Sequence, residues 1–209
     1  KKKKNNIKNI SLDKSPEEFK DKIQKENLFL ETYEDHFFSL SSSHPQYRFN
    51  WRVSFLDSHR FMNWVVYDFL KAHKDFNPTV LDVGSYDSCL VKCLNENGIE
   101  CYGYEEIVWD EFYKILGTED FIRKGNEKDF NNCDVAVFLN YAHTIKVEDF
   151  LNVVEDKCKS MPSLIIFDHD ASISNMYSDG YYDWASKGEF ELLKFKNYKE
   201  RDLFIWEKK

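Results

Sequence analysis

The chain has 209 residues, 42% hydrophobic and 17% aromatic, which suffices for one well-packed domain and is too short for two ordinary domains with a linker. Its formal net charge of -8 hides an asymmetry: residues 1 to 25 carry nine Lys against four Asp and Glu, leaving 20 basic and 33 acidic residues, or -13, for the rest. So acidic a body repels a phosphate backbone and argues against a nucleic-acid substrate, and no apolar run approaches the roughly 20 residues that span a bilayer.

Lys1 to Lys4, with Asn5 and Asn6, read as a solvated start without the apolar stretch of a signal peptide. A cytoplasmic protein with no membrane partner is therefore expected. Ser15-Pro16-Glu17-Glu18 has the serine, proline and glutamate of a capping box and predicts a helix from about Pro16 to Asn27. Residues Phe29 to Trp51 are rich in aromatics and predict a short helix, then a loop at Ser41-Ser42-Ser43 and Pro45. From about Ser58 to Lys74, Phe61, Val65, Phe69 and Ala72, with Met62 and Val66, form one apolar helical face. Residues 1–57 are thus expected to be an N-terminal helical and aromatic extension, and residues 58–209 the domain proper.

The stretch from Thr79 to Glu106 carries the densest signal. A β-branched, apolar run through Asp82 and Val83 meets Gly84, where the chain must turn and bring bare backbone close to a ligand. Leu90, Val91 and Leu94 then recur at helical spacing, and Gly98 sits where a helix C-terminus favours positive φ. Cys101 to Tyr104 reads as a second strand that delivers Glu105, 23 positions after Asp82. That is near the spacing at which a βαβ unit sets a carboxylate on ribose hydroxyls, so a nucleotide-type ligand is indicated. The alternation continues with a helix at 109–116, strands at 121–123 and 134–139, a helix at 146–159 and a strand at 164–167 that ends in Asp168, His169 and Asp170. Two closing strands, 190–196 and 203–206, leave no room for a helix and predict a hairpin. Such a chain builds an α/β fold: a mostly parallel sheet, helices on both faces, and an antiparallel strand at one edge. The five cysteines, among apolar or helical residues, are expected to be packed, reduced thiols, and no metal is expected.

These residues resemble the class I methyltransferases that use S-adenosylmethionine, a Rossmann-like family with seven strands of which the last is antiparallel. The likeness covers roughly residues 58 to 207. VLDVGSYDS is similar to the family's first motif; by that likeness Asp82 would help hold the methionine amine, and Gly84, Ser85 and Tyr86 would border the cofactor. Tyr86 and Ser88 stand where the family usually has its second and third glycines. Glu105 would accept hydrogen bonds from the ribose hydroxyls, Asn126 and Glu127 would lie at the adenine, and Asn140 near the methionine moiety. The implied cofactor is S-adenosyl-L-methionine, with S-adenosyl-L-homocysteine as product. A dinucleotide is disfavoured, since G-x-G-x-x-G would need glycine at Tyr86 and Cys89.

Candidate catalytic residues are His143 and His169, each an imidazole able to accept a proton near neutral pH at the end of a strand. Either could instead be structural, His143 as a cap of the following helix. Asp168, His169 and Asp170 alternate sides in a strand, which disfavours convergence on one metal ion. Tyr47, Arg48 and Arg52, in the aromatic extension with Trp51, and Tyr141 and Asp170 are candidate substrate contacts; Tyr177, Tyr181, Tyr182 and Trp184 could form an opposite wall or plain core. The Asn-Pro-Pro-Tyr signature of amino-group methylation is absent from Asn140-Tyr141-Ala142-His143. Together with the acidic body, this favours methyl transfer to oxygen of a small metabolite or sugar. Two other readings stay open: a non-catalytic binding module on the same scaffold, and a different nucleotide-ligand enzyme.

Overall fold

The computed structural model describes residues 9–43, 45, 52, 54–72, 77–106, 109–124, 133–141, 145–158, 160–170, 189–199 and 201–209. Contacts divide the chain into two compact units, Ser11–Leu70 and Lys71–Lys209. The division takes the helix that starts near residue 58 into the first unit, whereas the sequence reading puts the boundary at 57/58.

The first unit is helical. A 3₁₀ turn, Pro16–Phe19, leads into α1 (Lys20–Glu31), and the Glu18 carboxylate accepts the Ser15 backbone N–H at 2.7 Å. Then come α2 (Glu34–Leu40) and α3 (Asp57–Lys71). Helix α3 buries residues on every side, including His59, Arg60 and Asn63 beside its apolar face. Phe19 stacks on Trp64 at 6.3 Å, Lys22 lies 4.4 Å over the same indole, and Lys14 pairs with Asp68 at 2.8 Å.

The second unit is a seven-stranded sheet. Its elements run β1 (Val80–Val83), α4 (Cys89–Glu96), β2 (Cys101–Glu105), α5 (Asp110–Leu116), β3 (Ile122–Lys124), β4 (Val135–Phe138), α6 (Phe150–Lys157), β5 (Leu164–Asp170), β6 (Phe190–Tyr198) and β7 (Arg201–Lys208). The strand order is β3-β2-β1-β4-β5-β7-β6, with β1 to β5 parallel and β7 antiparallel to both its neighbours. The fold expected from the β/α rhythm and the closing hairpin is the one observed.

Local chemistry explains the element ends. Helix α4 stops because Gly98 takes φ +79°, letting its N–H reach Asn95 O at 3.1 Å and the Ile99 N–H reach Leu94 O at 2.9 Å, which satisfies two terminal carbonyls. Gly117, at φ +67°, ends α5 in the same way. One face of the sheet packs Leu81, Val83, Phe138, Ile165, Phe167, Phe204 and Trp206 against Phe150 and Val154 of α6. Phe150 sits centrally there, with ring centroids 5.3 Å from Phe138, 4.8 Å from Phe167 and 5.7 Å from Trp206. The five cysteines are buried thiols with no disulfide among them. Among the described residues, no helix is long and apolar enough to cross a membrane.

Candidate functional site

Strands β1, β2 and β4 end side by side, and the turn after β1 is held by its neighbours. Gly84, Tyr86 and Ser88 all have left-handed backbone, with φ of +69°, +54° and +61°. These are the three places at which the resemblance implies glycine. For a tyrosine and a serine this conformation costs roughly 1–2 kcal/mol each, so it persists only where surrounding groups over-determine it. They do so here. The Tyr104 carbonyl accepts the N–H groups of Gly84 at 2.8 Å and Ser85 at 3.1 Å, and Ser85 O accepts the Ser88 N–H at 2.8 Å. Glu105 accepts the Tyr86 N–H at 2.9 Å, and the Ser88 hydroxyl shares a buried 2.6 Å hydrogen bond with the Thr118 hydroxyl. Gly84 is required twice over, because a Cβ there would also lie 2.6 Å from the Tyr141 ring.

Three carboxylates gather at this turn. Asp82 and Asp87 are buried, at 4% and 2% exposure, and Asp87 accepts the Cys89 N–H at the start of α4 at 3.0 Å. Asp82 and Gly103 are register partners, so alternation along β2 sets Glu105 on the face that Asp82 occupies. Burial, and then repulsion from Asp87 and Glu105, raise the proton affinity of Asp82 well above the ordinary aspartate value. Both oxygens of Glu105 accept a backbone N–H, one from Tyr86 and the other from Glu106 at 3.1 Å. The Ser85 hydroxyl oxygen is buried and has no hydrogen-bond partner among the described residues. It lies over Gly103, where a Cβ would be 2.6 Å from it and equally close to Ile122.

The end of β4 is fastened to the closing hairpin. Asn140, at φ +55°, donates its backbone N–H to Asp168 at 2.6 Å, and its side-chain oxygen accepts from Arg201 at 3.0 Å. Arg201 also pairs with the buried Asp168 at 3.3 Å. Tyr141, next along, is half-buried with its ring over Gly84. Beside it Lys157 donates to Glu106 at 3.0 Å and to the Tyr104 hydroxyl at 3.3 Å.

The structure thus brings together Asp82, Gly84, Ser85, Tyr86, Glu105 and Tyr141, with Asn140 held at the hairpin side. His169 is fully buried, pairs in register with Asp202, and by alternation shares the sheet face of Phe167, opposite to Asp82. Asp170 ends β5 in register with Arg201, and Arg52 is an exposed residue of the first unit. Tyr47, Arg48, Trp51, Asn126, Glu127, His143, Tyr177, Tyr181, Tyr182 and Trp184 lie outside the described residues. Among the described residues, no group of three His, Cys, Asp or Glu could hold a metal ion.

Sequence reasoning missed four residues of this arrangement. Gly103 had a signal, since a lone glycine within a strand marks a close approach. Asp87 is visible as a third acid within reach of Asp82. Thr118 and Arg201 carry no sequence signal, for their partners are 30 and 33 to 61 positions away.

No family model and no curated protein matches the sequence. Solved structures do match. Mitomycin 7-O-methyltransferase MmcR superposes with a TM-score of 0.59 at 15% identity, over 83% of this chain and 60% of that one. Magnesium protoporphyrin IX methyltransferase ChlM from Synechocystis PCC 6803, with bound S-adenosylmethionine, gives 0.57 at 11% identity, over 72% and 80%. The tRNA methyltransferase TrmK of B. subtilis gives 0.51 at 13% identity, over 70% and 65%. The chain therefore spans about two thirds or less of MmcR and TrmK, and what it shares with all three at these identities is the fold, a Rossmann-like α/β sheet.

Proposed function

We propose that this protein is an S-adenosylmethionine-dependent methyltransferase whose acceptor is an oxygen of a small metabolite or sugar derivative, with S-adenosylhomocysteine as the other product. One observation carries the reading: left-handed backbone at residues 84, 86 and 88, with the Glu105 carboxylate turned back onto the same turn. A tyrosine and a serine are kept in a glycine conformation at two places, a strain that a purely structural turn would have no need to hold.

The residues present fit the cofactor. Backbone N–H groups of Tyr86 and Glu106 hold the Glu105 carboxylate at the end of β2, beside the turn, in the place suited to accept from the ribose hydroxyls. Asp82, crowded by like charges, suits a cationic amine, and the buried Ser85 hydroxyl supplies a further polar contact. When bound, the cofactor supplies a methyl group on a positively charged sulfur, already reactive toward a nucleophile. The protein's share is to align that nucleophile and to exclude water. Tyr141 covers the turn on the β4 side and is suited to the second task; His143 stays the candidate base. Small-molecule specificity draws support from the acidic body and from the absent Asn-Pro-Pro-Tyr signature. Similar structures include enzymes named for mitomycin and magnesium protoporphyrin, and also one named for tRNA.

Calorimetry with S-adenosylmethionine tests the reading. Saturable one-to-one binding, weakened at least tenfold in Glu105→Ala, is expected. No heat at millimolar ligand would leave the binding-module reading, in which the side chains of Tyr86 and Tyr141 replace the cofactor.

A further inference from the structure

We propose that Asp87 makes this turn select the charged donor over its neutral product, an inference that rests on the site being the S-adenosylmethionine site. Asp82 and Glu105 stand where the resemblance implies carboxylates; Asp87, between Tyr86 and Ser88, is an additional one, buried in the turn itself. Its carboxylate is fixed, since one oxygen accepts the Cys89 N–H at 3.0 Å, and it acts electrostatically on Asp82 together with Glu105.

The buried Asp82 and Asp87 and the part-buried Glu105 beside them repel one another in a medium of reduced dielectric, and a cation among them relieves that repulsion where a neutral ligand does not. The feature is more than an acidic cluster. The Ser85 hydroxyl, at 4% exposure, has no partner among the described residues and lies over Gly103, the register partner of Asp82 and two residues before Glu105 on the same face. An orphaned donor and acceptor in that position marks a place for a polar ligand.

Donor and product differ by one methyl group and one positive charge: S-adenosylmethionine carries net +1 and S-adenosylhomocysteine is net neutral. A third negative charge strengthens binding of the first and leaves the second nearly unaffected. The product then leaves readily, so inhibition by product is weak.

The test is calorimetry of both ligands on the wild type, Asp87→Asn and Asp87→Glu. Asparagine keeps an oxygen for the Cys89 N–H and removes the charge; glutamate keeps the charge. The wild type is expected to bind the donor at least tenfold more tightly than the product. Asp87→Asn is expected to shrink that ratio about fivefold, through the donor alone, and Asp87→Glu to retain it. A ratio unmoved in Asp87→Asn, with both ligands bound, overturns the inference and leaves the cofactor assignment standing. Failure of the wild type to bind the donor overturns both. If Asp87→Asn does not fold, the wild type decides with an analogue that carries a protonated amine in place of the sulfonium. Binding as tight as the donor's supports charge selection, and binding as weak as the product's overturns it.

Discussion

Asp82 shows how one residue can be poorly suited to the isolated fold and well suited to a ligand. It is buried beside two other carboxylates, and its folded-state proton affinity is raised well above the ordinary value of 3.8. The folded protein therefore binds this proton more tightly than the unfolded chain does. Its contribution to stability is fully present below pH 3.8 and is lost as pH rises through the elevated folded value. Asp82→Asn removes that slope. The variant is expected to be more resistant to urea than the wild type at pH 7, to lose its margin toward pH 4, and to bind S-adenosylmethionine at least tenfold more weakly. Equal stability of the two proteins at pH 7 would count against an ionised, crowded carboxylate. Asp82 and Glu105 were legible in the sequence because strand ends in parallel sheets open on the ligand crevice, a positional rule that needs no distances. His169 shows the reach of that rule: it occupies a strand end yet is fully buried on the other face, because side chains alternate and only one set faces the turn.

At the level of elements, the closing hairpin does more than complete the sheet. Arg201, the first residue of its second strand, reaches Asp168 on β5 and Asn140 past β4, so that the chain before Tyr141 is tied to β7. The ion pair is nearly buried, at 10% and 1% side-chain exposure, so removing one partner strands a charge in low dielectric. Arg201→Met is expected to destabilise the protein by about 3 to 5 kcal/mol in chemical denaturation, whereas the double variant Arg201→Met with Asp168→Leu should recover most of the loss. No recovery in the double variant would mean that the contacts which Asp168 and Arg201 make with Asn140 outweigh the ion pair. The elements themselves were legible: their types and order follow from apolar periodicity, and predicted ends fall within a few residues of those observed. Two helices depart by four residues: the one expected from 16 and the one expected from 146, where the 3₁₀ turns 16–19 and 147–149 precede α1 at Lys20 and α6 at Phe150. Helix ends commonly tighten in this way, and composition does not report it.

For the whole molecule, a ligand that binds only the folded state raises stability by mass action. S-adenosylmethionine at 100 times its dissociation constant is expected to add about 2.7 kcal/mol. For a chain of this size that is a rise in Tm of roughly 5 to 11 °C by calorimetric scan. Slower amide exchange at 84–88 and 104–106 should accompany it. A Tm unchanged at millimolar cofactor would remove the enzymatic reading. What the sequence determined by itself is the α/β class, the seven strands and the carboxylates at the ends of β1 and β2. Hydrophobic period, turn residues and strand polarity are local properties, written within a few positions of one another. Only the tertiary structure decided the conformation of the turn. Whether Tyr86 and Ser88 could take a glycine's backbone depends on the Glu105 carboxylate and the Thr118 hydroxyl, which the fold brings from 19 and 30 positions away. Energy supplied by distant partners overrides the local preference of a residue, and such partners exist only once β2 and α5 have packed beside β1.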